Sequence, residues 1–207
     1  MFERGKVIVI DDFIEKDYQE YIKLKLIGGY DKYNNYQDSQ FPWFYTEDVT
    51  SAGEPDSQHR PALGHQYVRY EDKSPGNAIS KFNEIFTPLL KRVGVKLKLR
   101  SINVLQGRSF LQFPIKERGK PDTPHIDIYD RSHIVALYYV CDSDGDTIIY
   151  NERKDQGLEA KKYTIKEKVT PKQGRMVIFD GTLYHTAEQP ENNVRCVVNY
   201  DLEPDVS

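Results

Sequence analysis

The second half of the chain is a succession of short runs rich in β-branched and aromatic residues, each closed by turn residues. No other feature limits the fold as strongly. "SHIVALYYV", "DTIIYNE", "RMVIFD" and "VRCVVNYDL" are four such runs, and "KLKLRSINVL" ahead of them reads the same way. Between them lie "KPDTP", "CDSDGDT" and "DGTLYHTAEQPENN", dense in Asp, Gly, Pro and Asn. Strands this short at this spacing predict antiparallel β structure, a sandwich or barrel with helices packed outside, in an α+β, mainly β protein.

Helical periodicity is confined to the first half. After the β-rich "GKVIVIDDF", Ile14, Tyr18, Tyr21, Ile22 and Leu26 recur at helical spacing until Gly28 and Gly29 stop the pattern. A second face gathers Ile79, Phe82, Ile85, Phe86, Leu89 and Val93, with Pro88 expected to kink or restart the helix and Gly94 to end it. From Tyr30 to Ser74 the pattern is irregular and reads as a long loop holding the aromatic knot Phe41–Tyr45, which serves either as core or as a cover over a site. The expected organisation is one domain over 1–207, with 1–95 as helical and loop support and 96–203 as a jelly-roll core.

A chain of 207 residues with 38% hydrophobic content is long enough for one sizeable core. The net charge of -3 comes from 29 basic and 32 acidic residues mixed along the chain, so no field of one sign points to nucleic acid or an anionic membrane. The apolar run near the N-terminus is too short for a signal-peptide core or a membrane span, and a cytoplasmic protein is expected. Cys141 and Cys196, far apart and in strand-like surroundings, read as buried free thiols.

The chemistry concentrates in "PHIDIYD". On an extended strand, residues i and i+2 face the same way about 6.6 Å apart, so His125 and Asp127 can converge on one ion. A third ligand must come from another strand, and His185 in "FDGTLYHTAEQ" supplies it. Two imidazoles and one carboxylate leave open coordination positions and favour non-haem Fe(II), with zinc plus a water as the competing chemistry. His-x-Asp alone is a weak signal. Arg195 adds to it, because it opens the next strand and parity sets it on the face opposite Cys196, where a guanidinium could clamp a carboxylate through two parallel hydrogen bonds.

His125-x-Asp127, then His185, then Arg195 on the following strand resembles the 2-oxoglutarate and Fe(II)-dependent dioxygenases, most closely their prolyl-hydroxylase-like branch. The resemblance covers roughly residues 97 to 202. It implies a double-stranded β-helix, the distorted, cupin-like jelly roll, in which His125, Asp127 and His185 are the catalytic metal ligands. It also implies that 2-oxoglutarate is a cosubstrate whose far carboxylate meets Arg195 with help from Tyr139, and that O2 is the oxidant, with ascorbate as an accessory reductant. Asp127 stands where related halogenases carry a small residue, which favours hydroxylation, with release of succinate and CO2, of a peptidyl residue such as proline or of a small molecule. Two rival readings are a non-catalytic jelly-roll binding module and a zinc-dependent hydrolase, neither of which needs Arg195 as a cosubstrate anchor.

Other polar features read more plainly. His133 is expected as a satisfied histidine at a strand edge, His59 and His65 as surface or structural residues, and Asp142–Thr147 as a hairpin turn rather than a calcium loop. "VKLKL" and "EAKKYTIKEK" read as solvated faces of amphipathic strands, and Asn103 and Gln106 lie on the strand ahead of the His-x-Asp motif.

Overall fold

The computed structural model describes residues 2–49, 60–72, 74–117, 119–154 and 162–203. His59 lies outside them. Strand β1 (Val7–Ile10) leads through a turn into helix α1 (Lys16–Ile27), which carries Asp17 in its first turn and Lys25 in its last, the charges its dipole favours. The helix ends on Gly28 at φ 71°, where a side chain would lie 2.7 Å from the Gln37 carbonyl oxygen, so glycine is required both for the turn and for the close approach.

Short strands follow: β2 (Gly29–Tyr30) pairs with β3 (Tyr36–Gln37), and β4 (Phe44–Thr46) pairs with β5 (Ala62–Arg69), which also carries β6 (Asn77–Ala78). A 3-10 turn (Lys81–Phe86), N-capped by Ser80, runs into α2 (Thr87–Leu97). Pro88 restarts the helix at its first turn, where no intrahelical N–H is needed. Gly94 does not end it. The helix continues to Leu97 and stops at Lys98 in the left-handed region, while Gly94 lets Ile102 pack close. "VKLKL" is therefore mostly helix end, and the strand expected from Lys96 begins only at Val104.

The remaining strands are β7 (Val104–Gln112), β8 (Ile134–Tyr139), β9 (Thr147–Arg153), β10 (Ile165–Val169), β11 (Met176–Asp180), β12 (Leu183–Ala187) and β13 (Arg195–Leu202). They form two facing antiparallel sheets, the arrangement of a double-stranded β-helix. The larger runs β1-β11-β8-β13-β7-β5-β4 with β6 at its side, and the smaller runs β10-β9-β12. The backbone around His125 extends the smaller sheet beyond β12. Asp142–Thr147 is not a hairpin, because β8 and β9 lie in different sheets; Asp144 instead accepts backbone N–H groups of Glu191, Asn192 and Asn193.

The sheet does not divide at residue 95, since β1, β4, β5 and β6 of the first half all belong to the larger sheet. β5 was hidden in the irregular region because "ALGHQYVR" interrupts its apolar positions with Gly64, His65 and Gln66. It nevertheless lies between β4 and β7, with four of its eight residues buried.

Alternation on the larger sheet makes two cores. One face places Ile134, Ala136, Tyr138, Cys196, Val198 and Tyr200 against the helices with Ile22, Leu26, Phe86 and Leu89. The other places Val135, Leu137, Tyr139, Val177, Phe179 and Val197 against Ile149, Val169 and Leu183 from the smaller sheet. Both cysteines are buried free thiols. Phe41 is core, Trp43 donates its indole N–H to the Leu26 carbonyl at 2.8 Å, and Phe44 and Tyr45 are exposed, so the aromatic knot divides between core and surface. His65 is satisfied, with Pro42 O at 2.6 Å and Ser80 Oγ at 3.0 Å. No helix among the described residues is long and apolar enough to cross a membrane.

Candidate active site

The gap between the sheets is not filled to its end. A cavity of about 310 Å³ opens there, floored by Arg195, Val197 and Asn199 of β13 and walled by Arg108, Phe110 and Gln112 of β7 and by His185 of β12. Each trio alternates along its strand, so the period of two that buries one face also aims these side chains into a single space.

His125, Asp127 and His185 meet in this cavity, with one candidate ligand atom from each lying within 4.8 Å of the others. His125 and His185 stand opposite each other across the smaller sheet, and their rings are 4.6 Å apart. The Nδ1 atoms lie 3.3 Å from the Thr123 carbonyl oxygen and 3.2 Å from that of Leu183. A proton on each Nδ1 satisfies those contacts and turns an Nε2 lone pair toward Asp127. Each Nε2 then sits 3.5 Å from a different carboxylate oxygen. Two lone pairs and an anion facing one another need a cation between them, so these residues fit a divalent metal.

Asp127 is buried, and burial by itself pushes its carboxyl up. The Arg108 guanidinium is the largest of the interactions that outweigh it and hold the carboxyl well below the usual carboxylate range. Arg108 Nη2 pairs with Oδ1 and Asn199 Nδ2 donates to Oδ2 at 3.2 Å. Neither Arg108 nor Asn199 was singled out from the sequence. Asn199 was accessible by parity, four residues past Arg195 on the same strand face, whereas Arg108 carries no motif and becomes visible only through the pairing of β7 with β13.

Behind Asp127 lies a second polar cluster of Asp127, His133 and Asp201. His133 is only half satisfied: it is buried, with Nδ1 3.4 Å from the Arg131 carbonyl oxygen, while Nε2 lies 3.7 Å from Asp201 and has no hydrogen-bond partner. Burial lowers its pKa to about 4, against a smaller upward pull from Asp127. Burial and the neighbouring Asp127 push Asp201 well above the usual range.

At the cavity floor Arg195 is held on three sides. Nε donates to Gly145 O at 3.0 Å, Nη1 to Gln112 Oε1 at 2.8 Å and Nη2 to Thr147 Oγ1 at 2.9 Å. A guanidinium has five N–H groups, so one on each Nη remains for a ligand. Tyr139 stands beside this residue, with its ring centroid 6.0 Å from the guanidinium carbon, but its hydroxyl donates to Thr147 Oγ1 at 2.8 Å. Thr147, not Tyr139, is among the described residues lining the cavity. At the rim Arg60 and Asp122 form a buried pair 3.3 Å apart.

No family sequence model matches the chain, and neither does any curated protein sequence. Its fold does match solved structures. A 2OG-Fe(II) oxygenase family oxidoreductase from Burkholderia pseudomallei superposes with a TM-score of 0.64 at 9% identity, covering 95% of this chain and 84% of the other. HygX from Streptomyces hygroscopicus, solved with nickel, 2-oxoglutarate and hygromycin B, gives 0.58 at 13% identity over 98% and 84% of the two chains. A Pseudomonas putida prolyl-4-hydroxylase gives 0.53 at 13% identity over 97% and 94%. The double-stranded β-helix implied by the sequence motif is thus the fold of the chain, shared with 2-oxoglutarate and Fe(II)-dependent oxygenases.

Proposed function

We propose that the protein is a non-haem Fe(II) and 2-oxoglutarate-dependent dioxygenase that hydroxylates a peptidyl residue, such as proline, or a small molecule. The observation that carries this reading is the pairing of two features in one cavity: a face of two imidazoles and one carboxylate, and a buried arginine with two N–H groups to spare.

His125, Asp127 and His185 would hold the metal. When bound, iron with 2-oxoglutarate and O2 supplies an oxidation that releases succinate and CO2, with ascorbate maintaining the reduced metal. The chain's own part is placement. Arg195 receives the far carboxylate of the cosubstrate on its two unused N–H groups, a fork that fixes direction as well as charge. Gln112 and Thr147 hold that fork, and Tyr139 acts on it through Thr147. Val135, Leu137, Phe179 and Val197 make the walls dry, which strengthens each polar contact inside.

The cavity volume is at the small end for a ligand site. The cosubstrate occupies much of it, so the substrate presents one group to the metal while its bulk stays outside. That favours a peptidyl side chain or the edge of a larger molecule. A zinc hydrolase would leave the Arg195 fork without a role.

Anaerobic addition of Fe(II) and 2-oxoglutarate should produce a visible metal-to-ligand charge-transfer band that Asp127→Ala abolishes. Absence of the band in the wild-type protein overturns the reading. Succinate release measured against panels of peptides and metabolites then identifies the substrate.

A further inference from the structure

Asp127 lies outside every strand, yet it must present its carboxylate to both imidazoles. What holds it comes from the opposite sheet. Arg108 and Asn199 are direct cross-strand partners on β7 and β13, and they meet different oxygens of the same carboxylate. The guanidinium is itself fixed. With the Gln106 amide turned to face it, the amide oxygen lies 3.2 Å from Arg108 Nε and 2.7 Å from Nη1. Gln106 and Arg108 share a strand face, so one ridge of β7 builds the support.

We propose that Arg108 is a positioning residue for the metal-binding carboxylate, forming with Asn199 a two-point clamp that presents Asp127 to a metal between His125 and His185. The inference rests on the metal reading above and concerns a residue that does not itself touch the metal. Each oxygen gives one lone pair to the clamp and keeps another for the side where the imidazoles stand. The surroundings offer no substitute: Asp201 lies behind Asp127 and its two oxygens have no hydrogen-bond partner among the described residues. Without the guanidinium, Asp127 loses its orienting donor and meets a second buried acid directly.

Two effects of removing Arg108 oppose each other. Deleting a cation near a metal site reduces repulsion and by itself tightens metal binding. Releasing the carboxylate weakens it, and loss of a hydrogen bond that orients a metal ligand typically costs 10- to 100-fold in affinity. The second should dominate, because Asp127 is buried and few other groups fix its rotamer.

The test is Mn(II) binding to the purified full chain, followed by the electron paramagnetic resonance of free Mn(II) at a temperature where each variant is folded. Arg108→Met should weaken binding by about 10- to 100-fold, and Arg108→Lys, which keeps the charge and one donor, should recover most of the loss. A merely structural role would lower the melting temperature without moving the dissociation constant of the folded protein. Unchanged or tighter binding in Arg108→Met overturns the clamp. Should that variant not fold, Asn199→Ala, which removes the other point of the clamp, decides: a several-fold weakening supports the clamp, and wild-type affinity overturns it. No Mn(II) binding by the wild-type protein would overturn the metal reading itself, and the clamp with it, whereas normal wild-type binding with insensitive variants overturns the clamp alone.

Discussion

His125 and His185 exchange both backbone hydrogen bonds, at 2.9 and 3.0 Å, so the two imidazoles are held opposite each other by the sheet rather than by their side chains. The consequence is a separation between folding and metal binding. His125→Ala removes a half-exposed ring but neither backbone bond, so the metal-free protein should keep its stability to within about 0.5 kcal/mol, as most exposed substitutions do. Its Mn(II) affinity should collapse. Calorimetric melting beside a metal titration checks both, and a large loss of metal-free stability would show that the ring itself holds the sheet.

Arg195 supports a prediction with the opposite profile. Replacing it by Ala strands Gln112 and Thr147 at the cavity floor, and loss of a buried carboxylate anchor costs about 2 to 5 kcal/mol of ligand binding. Cosubstrate affinity should fall by that amount while Mn(II) binding without cosubstrate stays near wild type. Isothermal titration with 2-oxoglutarate is the measurement, and equal affinity removes Arg195 from the anchor role.

Thr147 Oγ1 accepts from both Arg195 and Tyr139, which gives those two residues different weights. Tyr139→Phe deletes one donor and leaves the arginine contact in place, so stability should drop by about 1 kcal/mol with a small change in cosubstrate affinity. Thr147→Val leaves two buried donors unsatisfied and should cost about 1 to 3 kcal/mol for each while loosening the fork. Comparing urea midpoints and 2-oxoglutarate affinities ranks the two; a larger cosubstrate defect in Tyr139→Phe would restore the tyrosine as a direct contact.

The convergence of the candidate site was legible where it follows from local spacing. His125 and Asp127 are two apart, and Arg195 opens a strand whose alternation sets its face. The helix stop at Gly28 was legible too, because a left-handed backbone position selects glycine. What escaped depends on partners distant in sequence. β5 looks irregular because its polar residues are satisfied by contacts made only after folding, as His65 is by Pro42 and Ser80. The role of Arg108 is set by which residue of β13 lies opposite it, and register between strands about ninety residues apart is not written in either strand. Lys96 and Leu97 alternate as a strand would, yet the apolar face of α2 carries the helix through them to its end at Leu97.

The buried pair behind Asp127 gives a pH prediction with two opposing signs. His133 is held near pKa 4 against an ordinary 6.5, so between those values the unfolded chain binds its proton and the native protein does not, and stability falls as pH falls. Asp201 is raised, so below its elevated value and above 3.8 the native protein binds the proton, and stability rises as pH falls. Each slope is about 1.4 kcal/mol per pH unit, and where the ranges overlap they cancel. Denaturant unfolding of the metal-free protein should separate them: Asp201→Asn should steepen the loss of stability between pH 6.5 and 4, and His133→Gln should reduce it, relative to wild type. Parallel pH profiles for all three proteins would show that neither group is shifted.

Gly107 places a steric requirement on the same sheet. A methyl group there would lie 2.6 Å from Tyr67 Cε2 and 2.7 Å from Tyr200 Cε1, two buried rings whose centroids are 5.4 Å apart. Tyr67 donates to the Arg108 carbonyl and Tyr200 to Asn83, so neither ring can move away without breaking a hydrogen bond. Gly107→Ala should therefore cost about 1 to 3 kcal/mol, the usual penalty for overpacking a filled core. Because Gly107 adjoins Arg108, the displacement should also reach the carboxylate clamp and weaken Mn(II) binding. Gly94→Ala on α2 is the contrast: its added methyl meets the side chain of Ile102, in the segment between α2 and β7, neither residue lines the cavity, and the change should alter stability without changing metal affinity. If Gly107→Ala lost stability but bound Mn(II) as tightly as wild type, β7 would be packing the core and holding Asp127 through independent parts of the strand.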